Sequence, residues 1–364
     1  MPLFEMYSQI DLTPHNRPPL HTNPSTSTIA SSIPATFRAY RYAQHGAAED
    51  VLKLHSDVKQ VSLEPTQVRV KVHSAAINPV DIPLMANYLP SLLSSHPTPE
   101  HPFGFGFDGA GTVVEVGSGV KDAGGDLQLG DAVYFMTSFA AFGSFAEYFT
   151  LDHAFVARKP KTLSFDQAAG VPLVALTSYQ ALKEHAKLQS GERVLILGGS
   201  SATGIYGIQI AKAIGAHVTV TASTRNVAFV KSLGADKVIE YTTIKWVDAL
   251  PSHSVDVIYD CGVEANAWNT DAQTVLRKET GRFVTLLRIQ DPVIESKFGA
   301  KNCGQILVYP SASQLVELAE LIDGGKVVTP IDSLYSFENV QEAVAHTLTG
   351  RATGKLVIQI APNA

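Results

Sequence analysis

The segment Val194-Leu195-Ile196-Leu197-Gly198-Gly199-Ser200-Ser201-Ala202-Thr203-Gly204-Ile205-Tyr206-Gly207 confines the fold more than any other part of this chain. An apolar run stops at glycines. Apolar residues then recur at helical spacing through Ile208, Ile210, Ala211 and Ile214 to Gly215, and Val218-Thr219-Val220-Thr221 follows as a second strand. A strand, a tight glycine turn, a helix and another strand put backbone N–H groups and a helix N-terminus under a pyrophosphate. Gly199 and Gly204 fit the outer positions of a G-x-G-x-x-G pattern. Ser201 stands at the middle position, where a small side chain still lets a phosphate approach, and Ala202 and Thr203 complete the turn. A glycine-rich loop without a ligand is the competing reading.

The chain has 364 residues, enough to bury a large core and to divide into two domains. Its net charge of -6 and scattered basic residues argue against a nucleic-acid or membrane surface. No uninterrupted apolar run reaches transmembrane length. Cys261 and Cys303 are too few for a disulfide framework or a four-cysteine zinc lobe, and a reduced, cytoplasmic protein is the simplest expectation. Residues 1–35 are rich in Pro, Ser, Thr and Asn, lack a secretory apolar core and carry Arg17 as their only basic side chain. They read as a flexible N-terminal arm.

Residues 36–160 read as a Gly-rich β domain. Val68-Arg69-Val70-Lys71-Val72 alternates like a half-buried strand, and strands are also expected at residues 111–117, 131–135 and 145–149. Short strands with glycine punctuation suggest a small barrel. Phe103-Gly104-Phe105-Gly106-Phe107-Asp108-Gly109-Ala110-Gly111 reads either as a turn with aromatic core anchors or as a cleft wall. After Pro160 the period changes. Residues 165–185 look helical, with an interruption near Pro172. Strand–helix repeats follow at 193–198 with 204–214, 217–221 with 225–233, and 255–260 with 268–278, then a strand at 282–287 and a helix at 315–322. This spells a parallel sheet with helices on both faces. A helix at 339–349 and a strand at 353–360 close the chain.

The end of the second strand bears on coenzyme choice. NAD sites commonly place an acid there for the ribose 2′-hydroxyl. Here Val220-Thr221-Ala222-Ser223-Thr224-Arg225-Asn226 contains none. Ser223 can donate and Arg225 can pair with a 2′-phosphate, which points to NADPH. Helix capping by Ser223 or Thr224, with Arg225 facing solvent, is the alternative. Cys261-Gly262 follows the strand at 257–260, where coenzyme contacts gather, although Cys261 also reads as a small buried thiol. Asn78 and Asp81, three positions apart, either share a functional face or cap a helix.

Taken in order, several segments resemble the medium-chain dehydrogenase/reductase superfamily, in particular its zinc-independent quinone and enone reductase branch. They are Ala75-Ala76-Ile77-Asn78-Pro79-Val80-Asp81, Asp108-Gly109-Ala110-Gly111, Gly143-Ser144-Phe145-Ala146-Glu147-Tyr148, the coenzyme turn, Leu233-Gly234-Ala235-Asp236, Gly281-Arg282-Phe283-Val284 and Gly350-Arg351-Ala352-Thr353-Gly354-Lys355. The resemblance covers about residues 36–361. It implies an α/β chain in which a Rossmann coenzyme domain, residues 161–310, is inserted in a discontinuous GroES-like β-barrel catalytic domain formed by residues 36–160 and 311–364. It places Asn78 and Asp81 beside the nicotinamide, with Asn78 able to donate to a substrate oxygen. Thr177 would also lie beside the nicotinamide, unless it bonds its own helix backbone, and Tyr241 would touch the 2′-phosphate. Tyr88 falls near a tyrosine that donates a proton in some enoyl reductases, out of step by about one residue.

In zinc-dependent relatives a cysteine stands where this chain has Asn78. His73, His101 and His153 share no ligand spacing, so no metal is expected. The implied activity is NADPH-dependent hydride transfer to a quinone or to the C=C of an α,β-unsaturated carbonyl. A trans-acting enoyl-thioester reductase with a carrier-tethered acyl substrate is one alternative, and a non-catalytic NADPH-binding protein another. A small-molecule substrate is expected, a homodimer is allowed, and nucleic acid and membrane are not expected as partners.

Overall fold

The computed structural model describes residues 33–264 and 266–361; the expected arm lies, up to residue 32, outside the described residues. The described chain from Pro34 belongs to a single unit. Its first part carries β1 (Thr36–Tyr42), α1 (Ala48–Val51), β2 (Lys53–Lys59), β3 (Gln67–Ala76), α2 (Asp81–Met85), β4 (Phe103–Gly104), β5 (Asp108–Val116), β6 (Ala132–Met136), β7 (Tyr148–Asp152) and β8 (Val156–Arg158). The middle carries α3 (Phe165–Ala169), α4 (Pro172–Tyr179), β9 (Arg193–Leu197), α5 (Ala202–Ile214), β10 (His217–Ala222), α6 (Val227–Ser232), β11 (Lys237–Glu240), β12 (Val257–Asp260), α7 (Ala272–Val275), β13 (Arg282–Thr285) and β14 (Lys301–Gln305). The end carries α8 (Ala312–Asp323), β15 (Ile331–Ser336), α9 (Val340–Leu348) and β16 (Lys355–Gln359).

The middle strands form a six-stranded parallel sheet in the order β11-β10-β9-β12-β13-β14. The strand order reverses beside β9, the place at which sheets of this kind form a ligand crevice at the carboxyl ends of their strands, here β9, β10 and β12. β9 is buried over Val194–Leu197 because helices cover both faces of the sheet. The other large sheet runs β15-β16-β3-β5-β6-β8, with β7 also paired to β3. In it β16 lies antiparallel to β3, Val357 opposite Ala76, so the last strand returns to the first lobe. A small sheet, β2-β1-β4, completes that lobe.

The cores follow the same division and then merge. Val68, Val70, Val72, Phe105, Phe135, Phe145, Leu356 and Ile358 fill the barrel. Leu176, Ile196, Ile205 and Val220 belong to a second cluster that also contains Phe107, Tyr134, Met136 and Val357. Apolar packing therefore runs from one lobe into the other, and each large side chain buried there contributes about 1.5–3 kcal/mol.

Some elements differ from expectation. Pro172 opens α4 as its first residue, where its missing N–H costs nothing, and the helix continues through a π-helical stretch, Gln180–His185. The strand expected at 145–149 starts at Tyr148, because Phe145 turns into the core, its N–H donating to the Phe105 carbonyl. The helix expected over 268–278 shrinks to α7, since Leu276 pairs in extended form with Val255. The run 103–111 supplies core anchors: Phe105 and Phe107 are buried, and Gly106 takes φ +93°, where a Cβ would strike the Phe145 ring.

Candidate active site

Most of the residues expected around a coenzyme follow the carboxyl ends of β9, β10, β11 and β12. Gly198 adopts φ +85° and donates its N–H to Thr221 Oγ1 at 2.9 Å, while the Gly199 N–H reaches the Thr221 carbonyl at 2.9 Å. A Cβ on Gly199 would lie 2.8 Å from Val220, and one on Gly204 would lie 2.2 Å from the Gly198 carbonyl oxygen. Both outer glycines are therefore required by close backbone approach. Ser201 is the N-cap of α5, its Oγ accepting the Gly204 N–H at 3.0 Å. The serine that replaces the middle glycine thus starts the helix. The N–H groups of Ser200, Ala202 and Thr203 donate to no acceptor among the described residues. Three open donors at the positive end of α5 suit a pyrophosphate.

Two side chains that sequence reasoning passed over hold this turn: Thr221, and Asn226, whose Nδ2 donates to Ser200 Oγ at 2.9 Å. At the end of β10, the Ser223 hydroxyl caps no helix, Arg225 is exposed and enters no ion pair among the described residues, and Tyr241 is 58% exposed. The Tyr241 N–H donates to the Ala222 carbonyl at 3.3 Å, which sets Tyr241 beside that strand end. Ser223 thus makes no capping bond, while Arg225 is exposed, as the capping alternative had it. These residues fit a phosphate-bearing dinucleotide.

Cys261 follows β12, with Gly262 at φ +83° behind it. Burial pushes the Cys261 thiol up to about 12, so it is inert as a nucleophile, and the hydroxyls of Thr203 and Ser201 lie beside it. Thr177 is buried and its Oγ1 donates to the Leu173 carbonyl at 2.7 Å, so its hydroxyl proton is spent on its own helix.

Asn78 and Asp81 come together with two partners the sequence reading assigned no role. Asn78 Nδ2 donates to Asp108 Oδ2 at 3.0 Å, and Lys355 Nζ donates to Asn78 Oδ1. Asp108 Oδ1 accepts the Leu173 N–H at 2.8 Å, and Lys355 Nζ stands 3.5 Å from Asp108 Oδ2. Asp81 Oδ2 accepts the Asn78 N–H at 2.6 Å, while Asp81 Oδ1 has no hydrogen-bond partner among the described residues. All four side chains are buried. The expected donation from Asn78 to a substrate oxygen is therefore corrected: its amide faces inward and is engaged by Asp108 and Lys355. Nor does Asn78 cap α2, which has no side-chain cap. The amide braces the two lobes, because Asp108 grips the start of α4 and Lys355 opens β16.

The charges in this cluster do not balance if all are ionised, with two carboxylates facing one ammonium. Asp108 keeps its charge best, with Lys355, Asn78 and the Leu173 N–H around it, although burial raises its pKa. Burial also lowers Lys355, against the pull of Asp108. Asp81 lacks a cation in contact, and burial raises it to about 8, opposed by the Asn78 N–H and assisted by Asp108. At neutral pH the proton rests on Asp81.

Tyr88 stands apart. It is 80% exposed, and its hydroxyl has no hydrogen-bond partner among the described residues. Its backbone N–H donates to Pro83 in the turn after α2. Nothing orients the phenol for proton transfer, so the expected donor role lacks a geometric basis. Among the described residues no three His, Cys, Asp or Glu side chains converge to hold a metal ion, and no helix is long and apolar enough to cross a membrane.

Two family models match the chain: an alcohol dehydrogenase GroES-like domain over residues 64–161 and a zinc-binding dehydrogenase domain over residues 233–358. The chain is 36% identical to a 2-methylene-furan-3-one reductase of Solanum lycopersicum, covering 94% of this chain and 86% of the relative. It is 34% identical to a chloroplastic NADPH-dependent alkenal/one oxidoreductase of Arabidopsis thaliana, covering 92% and 82%. Among solved structures, the quinone oxidoreductase of Coxiella burnetii superposes with a TM-score of 0.76 at 29% identity, covering 90% of this chain and all of that one.

Proposed function

Because this chain belongs to the medium-chain dehydrogenase/reductase superfamily, in its quinone and enone reductase-like branch, we propose that it is a zinc-independent reductase. Its hydride source is NADPH and its acceptor a quinone or the C=C of an α,β-unsaturated carbonyl. The observation that carries the coenzyme half is Arg225: exposed, in no ion pair among the described residues, and set just after β10, where the chain offers Ser223 and no acid. The relatives' names support the acceptor class, since they act on an alkenal or enone, a methylene-furanone and a quinone.

When bound, the reduced nicotinamide supplies the hydride. The chain's part is to hold and orient. Ser200, Ala202 and Thr203 bind the pyrophosphate through backbone N–H groups, and Ser223, Arg225 and Tyr241 hold the 2′-phosphate. The Asn78–Asp108–Lys355 brace fixes the start of α4 against the barrel. Asp81 carries a proton but is sealed in the core, and Tyr88 meets solvent but is not held. The proton that completes the reduction therefore comes from water. Two free cysteines among the described residues suit a reducing, cytoplasmic setting.

The test is coenzyme oxidation against a panel of quinones, short enones and 2-enoyl thioesters, with and without prior chelation of metals. Turnover of a quinone or enone with NADPH that survives chelation is expected. No oxidation on any acceptor would refute the reading, and strong preference for a carrier-tethered thioester would replace it with the synthase-assisting one. Arg225→Ala should weaken NADPH binding by about 1–3 kcal/mol, roughly tenfold to a hundredfold, with NADH binding spared. Equal losses for both coenzymes would remove Arg225 from the site.

A further inference from the structure

At the end of the six-stranded sheet opposite the crevice, the first residues of three neighbouring strands are basic. Arg193 opens β9, His217 opens β10 and Lys237 opens β11. We propose that these three side chains form a binding site for a small oxyanion of the phosphate type, inorganic or esterified, separate from the coenzyme site.

The strands are parallel, with His217 level with Arg193 and Thr219 level with Lys237. Residues level with one another in a parallel sheet share a face, and so do residues two apart on one strand. Arg193, His217, Thr219 and Lys237 therefore stand on one face, at the rim of the apolar cluster that Leu195, Ile239 and Trp246 build. Neighbouring strands lie about 4.7–4.9 Å apart, so the three basic groups gather across about 10 Å. They line a pocket of about 280 Å³, to which Leu250 and Pro251 add apolar surface. Sites for small ligands start at about 300 Å³, so this one suits an anion with little organic remainder.

No acid lines the pocket. The acids beside these residues in the chain have cations of their own. Glu192 holds Arg282, Asp256 holds Arg277, and Asp236, which also draws on His217, holds Lys212. Arg193 donates its backbone N–H to Asp256 Oδ2, but its guanidinium makes no hydrogen bond or ion pair among the described residues. The same is true of the His217 imidazole and the Thr219 hydroxyl, and Lys237 Nζ meets only the Ala249 carbonyl, at 2.9 Å. Arg193 and Lys237 are thus like charges on one face of a chain whose net charge is -6. A divalent oxyanion between them offsets their repulsion and accepts from the guanidinium fork, as phosphate does. Bound there, it ties the connection from β11 to β12, which carries Leu250 and Pro251, to the starts of β9 and β10.

The test is calorimetric titration of the full chain with sodium phosphate at pH 7.5 and low ionic strength, in a buffer free of other oxyanions. Saturable binding is expected, and Arg193→Gln should weaken it at least about tenfold. His217→Gln and Lys237→Gln should weaken it as well. All three residues are exposed, so the variants leave the core alone, and their circular dichroism should match the parent. Arg225→Ala, which alters the coenzyme site, should leave phosphate affinity unchanged. Glycerol 2-phosphate, titrated in parallel, separates ester from free ion. Binding equally sensitive to Arg193→Gln supports a site for phosphate esters, and binding of phosphate alone supports a site for the free ion. Absence of saturable binding, or affinity undiminished in Arg193→Gln, whether or not Arg225→Ala removes it, would overturn the proposal.

Discussion

Replacing Asp81 with Asn should change how stability depends on pH. Asp81 is buried, its Oδ1 has no partner among the described residues, and burial pushes its carboxyl up to about 8, against an ordinary value of about 4 in the unfolded chain. Below about pH 4 both states hold the proton and the group has no pH-dependent cost. Between there and about pH 8 the unfolded carboxylate ionises while the folded one does not. Folding then takes up a proton, and stability falls by up to about 1.4 kcal/mol per unit. Above about pH 8 both states are ionised and the penalty is constant. From pH 5 to pH 8 the loss from this group reaches about 4 kcal/mol. Asn keeps an oxygen for the Asn78 N–H and cannot ionise. Its unpaired NH2 costs about 1–3 kcal/mol at every pH, a fixed offset. The stability of Asp81→Asn minus that of the parent should therefore rise between pH 5 and pH 8 by up to about 4 kcal/mol. Urea unfolding at pH 5, 6, 7 and 8, followed by circular dichroism, measures the difference. Parallel curves for the two proteins would show that Asp81 is ionised in the folded state, and would refute the charge assignment of the cluster.

The same cluster predicts that Lys355→Met is destabilised by about 3–5 kcal/mol at pH 8, because Asp108 loses its counter-ion, and that adding Asp108→Asn recovers part of the loss. Thermal midpoints of the two singles and the double decide it; a double variant no better than the sum of the singles would count against the pairing. In the crevice, Gly204→Ala should abolish coenzyme binding, since its Cβ would lie 2.2 Å from the Gly198 carbonyl oxygen, an atom with no freedom to withdraw. Fluorescence titration with NADPH checks this, and unchanged affinity would mean that the turn is built differently.

Much of the fold was legible because periodicity and burial coincide in it. β3, β5, β9 and α5 bury whole faces, and their apolar spacing shows this in the chain itself. β2, with the sequence Lys53-Leu54-His55-Ser56-Asp57-Val58-Lys59, is mostly exposed and has too few apolar residues to announce a strand. The four residues of β11 are too short to show a period. At 268–278 local helical pattern lost to tertiary pairing with Val255.

The residues proposed to hold the coenzyme could be singled out because they are local: Gly199 to Gly204, and Ser223 to Arg225. The Asn78 cluster was not legible. Asn78 and Asp81 could be singled out, but what Asn78 does depends on Lys355, 277 positions away. The available signal was chemical: a lysine opening the apolar run Leu356-Val357-Ile358 and an aspartate inside a run of Phe and Gly, two charges in settings that demand partners.

The position of Lys355 also bears on the order in which the chain can finish folding. β3 and β5 pair with each other from the first third of the sequence, yet the ammonium that offsets Asp108 enters with the last strand. A nascent chain lacking its final segment holds Asp108 at the start of β5, with Asp81 nearby in α2, and lacks the ammonium that meets Asp108. It must keep that region hydrated or protonate both carboxyls, and either choice prevents close packing. Completion of the first lobe therefore waits for the C-terminus. A chain cut short before residue 355 is denied the part of the barrel core that Leu356 and Ile358 supply.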